Sequence, residues 1–405
     1  MEQRSDSSGR CFCYYCIIDF SCISYIIIGM KKYIIRTIKI ISFCLTVACA
    51  LWFLQNFVLC HIDHNKLRID GFYLEDKNSI DVVFTGASEL YTGFSPGLAY
   101  EEYGFTSYPY ATASVTAGAA ITQVKEIVRT QNPKLIVIEI NPFLYPDDRN
   151  DTNEGSIRKY IDPVPLNENK IEYIKGLATE DEAEYYFPLI KYHSSWSEYP
   201  GGVKFLGALI GQHFRGYTLL KGYKSNTGTC EPDDSYLNKK LAEDNSESEL
   251  YKNSEEQLRE LLLFLNENEI HNVVFFRAPH LVRQNDYDGF CKSNRAGRII
   301  EEYGFDFINF ERDPYTMDYP PEWYYNVQHL NVYGSEDFTK YFGHILKERY
   351  HIQDTVLTEI QKAHWNEAVA YYHQFYRCCD DKIRSGKVME INEDMVGMRE
   401  IAKYE

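Results

Sequence analysis

A serine and a histidine in this 405-residue chain stand where they could act together as nucleophile and base. Ser88 follows the apolar run 82–84 and Gly86, at the start of a predicted helix, where free backbone N–H groups and the helix dipole favour negative charge. His329 falls in a predicted loop before a final helix. A hydroxyl is a poor nucleophile until a base takes its proton, so the pair would support acyl transfer. Taken singly, each residue is better explained by a structural role, Ser88 as a helix N-cap and His329 as a loop histidine.

The elements that must position this pair follow an alternating strand and helix pattern. Strands spaced by helices predict a parallel sheet covered on both faces, which is a three-layer doubly wound α/β fold. In such a sheet ligands bind at the carboxyl ends of the strands. Strands are predicted at 81–84, 135–140, 273–276 and 305–310, and helices at 115–130, at 286–303 and from a capping box at Ser254 and Gln257 through Leu265.

The same patterns predict the domain organisation. We place the sheet domain at 80–350, after a polar connector at 61–79. A polar, tyrosine-rich and mostly helical insertion occupies about 142–253, and a helical extension covers 351–405.

An uncharged run at residues 40–60 is long enough to cross a membrane as one helix. The basic flank that precedes it puts the N-terminus in the cytoplasm and the rest of the chain outside. A cleaved signal peptide is the alternative, but 51–60 is bulky and offers no small-residue cleavage site, so we favour an uncleaved anchor over 30–60. The flanking cations are Lys31, Lys32, Arg36 and Lys39.

Residues 1–29 contain an apolar stretch, 11–28, that holds four of the eleven cysteines and is interrupted by Asp19. They could form a second membrane segment. We prefer to read them as a mis-extended N-terminus, with translation starting at Met30, because Met-Lys-Lys before an apolar run is a normal start for an export signal.

Composition and charge exclude several classes of protein. With 44% hydrophobic and 25% charged residues, the chain is neither wholly disordered nor a polytopic membrane protein. A net charge of −17 repels phosphate backbones, so we expect no nucleic-acid partner. The exported cysteines show no zinc-ligand spacing, and a disulfide among them is allowed without an assigned pairing. We expect no metal and no cofactor. These cysteines are Cys230, Cys291, Cys378 and Cys379.

Taken together, the motifs of this chain resemble the SGNH, or GDSL-like, hydrolase superfamily, and most closely a membrane-anchored bacterial subgroup. The first block is Val83 to Tyr91 with Pro96, in which Ala87 replaces a serine. The last block is His-Leu-Asn-x-x-Gly, at 329–334. Two further marks, at 192–196 and 277–280, fall between them, so the likeness spans about residues 80 to 350 in the expected order.

The resemblance implies an oxyanion hole made from the serine N–H, a glycine N–H in block two and an asparagine side chain in block three. Asn141, directly after a predicted strand, fits block three, although a turn asparagine before proline is an equal explanation. Block two, at 111–114, has no glycine, so only a backbone N–H of Ala113 or Ser114 could serve.

The largest departure from the family is Asn326, which stands where an aspartate orients the histidine. In a serine protease the same replacement lowered turnover about ten-thousandfold. Three interpretations follow: a Ser88–His329 dyad, an approach by another acid such as Asp318 or Glu322, or a site that has lost hydrolysis.

His193 and Trp196 are candidates for substrate contact, with the indole stacking on a sugar. The equal alternative is that the aromatic residues of this motif anchor the insertion on the sheet.

The resemblance implies an anchored, extracytoplasmic serine esterase or acyltransferase at the cell membrane. Its implied substrate is an O-acyl group, such as acetyl, on an exported glycan, and its implied partner is a membrane O-acyltransferase. The rival expectation is an inactive scaffold or a glycan-binding partner of such an acyltransferase.

Overall fold

The computed structural model describes residues 20–58, 60, 63–148, 153–177, 179–194 and 199–404. The strands are β1 Val82–Gly86, β2 Ser107–Ala111, β3 Leu135–Glu139, β4 Ser225–Asn226, β5 Val273–Arg277, β6 Asp306–Asn309, β7 Tyr324–Asn326, β8 His329–Leu330 and β9 Glu390–Ile391. The α-helices are α1 Phe20–Phe53, α2 His64–Leu74, α3 Ser88–Gly93, α4 Pro96–Tyr103, α5 Ala120–Thr130, α6 Glu154–Ile161, α7 Glu168–Gly176, α8 Glu182–Tyr186, α9 Pro188–Tyr192, α10 Tyr199–Arg215, α11 Lys252–Glu267, α12 Tyr287–Glu302, α13 Val332–Glu348, α14 Glu359–Arg384 and α15 Met395–Ile401.

A parallel five-stranded sheet with the order β2-β1-β3-β5-β6 forms the centre of the fold. In register, Val82 of β1 lies between Ser107 of β2 and Leu135 of β3. All five strands run the same way, so their carboxyl ends share one edge. The predicted α/β class and the predicted strands β1, β3, β5 and β6 are confirmed.

Side chains from both faces of this sheet are buried in core clusters. Val83 and Ile136 belong to one cluster, which also contains residues of α5, α11 and α12. Phe84 and Val137 belong to a second cluster with residues of α3, α4 and α13. Alternate residues of a strand point to opposite faces, so the near-continuous apolar runs of the sequence correspond to strands that are buried on both sides.

Strand β2 lies outside the sequence prediction. Its sequence, Ser-Tyr-Pro-Tyr-Ala, contains Pro109, which cannot donate a backbone hydrogen bond. The strand occupies an edge of the sheet, where such a residue is tolerated. The predicted capping box was wrong: α11 begins at Lys252, and the hydroxyl of Ser254 donates instead to the Tyr145 carbonyl at 2.7 Å.

The chain between β3 and α11 contains the short helices α6 to α10 and the short strand β4. β4 pairs antiparallel with β9 near the C-terminus. Helix α14 packs on α4, where the carbonyl of Ala368 comes so close to Gly97 that a Cβ there would lie 3.2 Å from it. The helical C-terminal extension therefore packs on the sheet domain through α4 and pairs with the inserted segment through β4.

The N-terminal unit, residues 1–54, contains the helix that could cross a membrane. Residues 30–58 have a mean hydropathy of 2.0 and are long and apolar enough to do so. Residues 1–19, which carry most of the predicted mis-extension, lie outside the described residues.

Helix α2 occupies the segment predicted as a connector, and that prediction was wrong. Asp63 caps the helix by accepting hydrogen bonds from two backbone N–H groups, and Ile69 and Phe72 are fully buried. Arg68 is also buried and donates to the carbonyls of Gly222 and Ala111. The helix buries Leu67, Ile69 and Phe72, although the sequence of the segment is largely polar.

Candidate active site

Ser88 lies at the carboxyl edge of the sheet, in the tight turn from β1 to α3. Gly86 has a φ of +146°, which disfavours any residue with a Cβ, and a Cβ there would lie 2.7 Å from the Cβ of Glu139. Ala87 is the N-cap of α3, and no side chain caps this helix. Ser88 is therefore its first residue rather than a capping serine, and its hydroxyl is available for another partner.

That partner is His329. Its Nε2 lies 2.8 Å from the Oγ of Ser88, across 241 positions of sequence. The histidine is placed by the short antiparallel pair β7–β8, rather than by the predicted loop. Tyr325 stacks on the imidazole, with ring centroids 5.1 Å apart and planes 19° from parallel, which holds the ring in this orientation.

Asn326 contacts the other ring nitrogen of His329. Its Oδ1 lies 2.8 Å from Nδ1 and also accepts the backbone N–H of Gln328 at 3.0 Å. A backbone N–H can only donate, so the amide must turn its oxygen to this side, and Nδ1 must carry the proton. The neutral ring then presents the Nε2 lone pair to Ser88, which is the tautomer that a general base requires.

Burial lowers the pKa of His329 to about 4, against the opposing field of Glu89. The imidazole is therefore neutral near pH 7 and able to take a proton from Ser88. Asn326 fixes the tautomer, but as a neutral amide it stabilises the imidazolium that forms during proton transfer less well than a carboxylate would.

Glu89 is the carboxylate next to the serine. It is buried, and its Oε2 lies 3.4 Å from the Oγ of Ser88. Burial opposes ionisation, but His280, His329 and Arg277 together lower the pKa of Glu89 to about 2. A fixed negative charge thus lies beside the serine and histidine, on the side away from Asn326.

Asn141 follows β3, and its amide is held at both ends. Arg277 donates to its Oδ1 at 2.8 Å, and its Nδ2 donates to Glu89 in a very short hydrogen bond and to the Tyr145 hydroxyl at 3.0 Å. The predicted oxyanion donor is therefore connected to Ser88 through Glu89. Both amide hydrogens are used, so binding an oxyanion requires the bond to Tyr145 or to Glu89 to be exchanged.

Glu139, the one charged residue of β3, joins the turns that carry Ser88 and Asn141. Its buried carboxyl group accepts the backbone N–H groups of Asn141, at 3.0 Å, and of Ala87. Burial and the nearby charge of Glu89 raise its pKa well above the usual value. This side chain fixes the spacing between the turn that carries Ser88 and the turn that carries Asn141.

Block two, after β2, is supported from α2. The N–H of Ala113 donates to the Oδ1 of Asn65 at 2.8 Å, so this N–H is already bound. Ser114 has a φ of +56° and ends the turn. Of the two backbone N–H groups predicted as oxyanion donors in block two, the N–H of Ser114 therefore remains the candidate.

The remaining residues of the His-Leu-Asn-x-x-Gly block have structural roles. Asn331 caps α13 through its Oδ1 and donates to the Gly228 and Glu322 carbonyls. At Gly334 a Cβ would lie 2.6 Å from the Trp323 carbonyl oxygen, so only glycine fits. These contacts hold β8, and with it His329, against the loop before it.

The other predicted site residues are not connected to Ser88 and His329 by the contacts that the structure describes. His193 is exposed at the end of α9, with Nδ1 2.5 Å from the Ile190 carbonyl. Trp196 lies outside the described residues. Asp318 and Glu322 are exposed, and the Nδ1 of His329 faces Asn326 instead of either acid.

The sequence did not predict two acidic residues of the site, Glu89 and Glu311. Glu311 follows β6, accepts a hydrogen bond from Arg277 at 3.0 Å and is 2% exposed. A sequence signal did exist: Glu89 and Glu311 each follow a predicted strand, and Glu139 lies inside one, within apolar surroundings. A buried acid at the carboxyl edge of a parallel sheet needs a partner, and these acids share Arg277.

No family model matches the chain, and no curated protein matches it. The basis for the chemistry of the site is therefore its own geometry. That geometry supplies a hydroxyl, a neutral imidazole in line with it, an amide donor nearby and a fixed negative charge.

Proposed function

We propose that this protein is an SGNH-like serine esterase or acyltransferase that acts on O-acyl groups, such as acetyl, of an exported or cell-surface glycan. The observation that carries the proposal is the 2.8 Å contact between the Ser88 hydroxyl and His329, together with the Asn326 contact that sets the tautomer. The predicted motif order supports the same proposal, as does the parallel sheet with its reactive groups at the carboxyl edge.

In the proposed reaction Ser88 Oγ attacks the ester carbonyl carbon while its proton passes to Nε2 of His329. The carbonyl oxygen becomes an oxyanion, for which Asn141 and the Ser88 N–H are the candidate donors. The bond to the alcohol then breaks, and His329 returns the proton to the leaving oxygen. Water or a sugar hydroxyl next attacks the acyl carbonyl carbon and gives its proton to His329. The bond from that carbon to Oγ then breaks, and His329 passes the proton to Oγ, which regenerates Ser88.

We infer further that the fold is the three-layer doubly wound form of the family, with residues 142–253 as a helical insertion. The burial of both sheet faces and the run of short helices α6 to α10 support this.

We place the domain outside the cytoplasmic membrane, held by the apolar helix and facing a membrane O-acyltransferase. The length and hydropathy of residues 30–58 and the basic residues beside them support an anchor with its N-terminus inside. Protease added to intact cells should degrade the domain, whereas a cytoplasmic control protein should survive. Survival of the domain until the membrane is permeabilised would contradict this orientation.

The second candidate is a non-catalytic partner that binds a glycan or the acyltransferase. Two observations favour it: Asn326 replaces the acid that would stabilise the imidazolium, and both amide hydrogens of Asn141 are already bonded.

A fluorophosphonate probe, which labels activated serines, distinguishes the two candidates. We expect labelling of the wild type, none of Ser88→Ala, and wild-type labelling of the control Ser385→Ala, whose serine is exposed on the surface. Absence of labelling in folded wild-type protein would reject the enzyme and favour the binding partner.

A further inference from the structure

A cavity of about 270 Å³ opens beside the candidate active site. Asn141 and Gln328 form part of its wall, and Arg277 and His280 lie deeper in it. We propose that this cavity binds a neutral, hydroxyl-rich ring, that is, one sugar unit, with His280 as its buried anchor. Its role as the acyl-acceptor site rests on the function proposed above, but binding of the sugar does not.

The imidazole of His280 has unused hydrogen-bonding capacity inside this cavity. The residue is 4% exposed, and its Nδ1 lies 2.8 Å from a carboxylate oxygen of Glu311. Its Nε2 is 3.9 Å from Glu89, beyond hydrogen-bond range, and has no hydrogen-bond partner among the described residues. A buried polar nitrogen without a partner is costly, so a ligand that bonds to it gains free energy.

The carboxylate beside Nδ1 favours the proton on that nitrogen. The other ring nitrogen, Nε2, is left to a ligand, and a hydroxyl group suits it because a hydroxyl can both donate and accept. A carboxylate or a fully ionised phosphate can only accept, and it would lie beside the carboxylates of Glu89 and Glu311.

The charges around the cavity also disfavour an anionic ligand. Arg277 is paired with Glu311 at 3.0 Å, and Lys292 forms a very close ion pair with Asp288. Asp286 adds a further negative charge at the rim. No cation among the described lining residues is left unpaired, so a phosphate or carboxylate would meet repulsion without a compensating contact.

The remaining wall suits a small polyol. Gln328 and Asn285 present amides that can both donate and accept, as a ring with several hydroxyls requires. Tyr251, which is 37% exposed, offers an aromatic surface at the rim. The volume corresponds to about nine water molecules, which limits the ligand to about one ring.

The position of the cavity gives the bound sugar a role in transfer. Asn141 lines the cavity and is bonded to Glu89, which in turn contacts Ser88. A sugar hydroxyl held there can attack the carbonyl carbon of a Ser88 acyl-enzyme, so that a new ester bond forms and the bond to Oγ breaks. The hydroxyl proton passes to His329 and then to Oγ. A cavity that holds a sugar hydroxyl in this position favours the acyltransferase over the esterase.

Saturation-transfer NMR on the full chain in detergent tests the binding site, with methyl β-D-glucopyranoside as probe and glucose 6-phosphate for comparison. We expect the neutral sugar to bind the wild type at least tenfold more tightly than the phosphorylated one. His280→Phe and Tyr251→Ala should each weaken its binding at least tenfold. The controls His271→Phe and Tyr315→Ala, which change exposed side chains outside the cavity, should bind as the wild type does.

Equal binding of the sugar by Tyr251→Ala and the wild type would overturn the proposal, as would tighter binding of the phosphorylated sugar. Tyr251 lies at the rim, so its variant keeps the test valid even if His280→Phe fails to fold. Fluorophosphonate labelling of the same samples separates the two proposals. Loss of sugar binding in Tyr251→Ala with an unlabelled wild type would support the cavity and reject the hydrolase. Normal labelling of the wild type, with sugar binding unchanged in Tyr251→Ala, would support the hydrolase and reject the cavity.

Discussion

His329 and Asn326 face each other through Nδ1 and Oδ1, 2.8 Å apart, and the backbone N–H of Gln328 fixes which end of the amide is presented. Replacing an aspartate by asparagine is damaging when the amide can turn its NH₂ toward the ring, because the wrong tautomer is then held. Here that rotation would place an NH₂ against a backbone N–H. The chain thus keeps the useful tautomer and lacks only the charge.

Asn326→Asp should therefore leave the rate of fluorophosphonate labelling equal or raise it, since a carboxylate keeps both contacts and adds charge stabilisation of the imidazolium. Second-order labelling rates at pH 7 are the measurement, with Asn266→Asp as a surface control. A large loss of rate in a well-folded variant would mean that Asn326 has another role.

The pH dependence of labelling should reflect the lowered pKa of His329. Burial favours the neutral ring, so the base form persists down to about pH 4. We expect a nearly flat rate from pH 8 to pH 5 and a fall only near pH 4. A histidine with its ordinary pKa of about 6.5 would instead lose about tenfold by pH 5.5. An inflection close to 6.5 would show that the ring is less buried in solution.

Glu89→Gln should slow labelling by about tenfold, the factor that corresponds to one pKa unit on His329. The glutamine oxygen can still accept from Asn141, but the negative charge that favours the imidazolium is lost. If Glu89 supplies the charge absent from Asn326, the loss of labelling rate caused by Glu89→Gln should be smaller in the Asn326→Asp background. A double-mutant cycle measures this coupling between the two residues. A faster Glu89→Gln enzyme would indicate that the carboxylate blocks the site instead.

Asn141→Ala should lower the labelling rate about a hundredfold, or about 3 kcal/mol, if its amide supports the oxyanion. The melting temperature of the same variant shows whether the fold survives the loss of the Arg277 contact. The control Asn266→Ala removes an exposed amide and should keep the wild-type rate. A stable Asn141→Ala protein with an unchanged rate would restrict Asn141 to a structural role.

Gly86→Ala should destabilise the protein by more than about 2 kcal/mol, because the methyl group combines a positive φ with a 2.7 Å approach to Glu139. Thermal or urea unfolding measures this effect. Gly289→Ala is the matched control, since its Cβ would meet nothing within 4 Å and alanine favours a helix. Equal stability of the two variants would contradict the tight turn before Ser88.

The sequence predicted the parts of the fold that depend on local pattern. The apolar runs of β1, β3 and β5 are buried on both faces of the sheet, and this burial makes their sequences easy to recognise as strands. Strand β2 carries polar and aromatic residues around Pro109, which is allowed only by its place at the edge of the sheet, and that place depends on the tertiary fold.

In the candidate site, too, the features that depend on the tertiary fold could not be predicted. Ser88 and His329 could be paired because their motifs occur in a recognisable order. The cluster around Glu89, Glu311 and Arg277 could not, because a single acid in a sequence does not reveal whether a distant arginine will neutralise it. Helix α2 escaped prediction for a related reason: its buried polar residues are satisfied by groups far along the chain, such as the Gly222 carbonyl.

The contact between Asn65 and Ala113 has a practical consequence for recombinant work. A soluble fragment cut just before β1, at the predicted start of the sheet domain, would lose the side chain that braces the turn after β2 and expose the apolar surface beneath α2. A fragment intended for crystallisation or assay should begin no later than Asp63, so that the first helix after the apolar segment is retained with its cap.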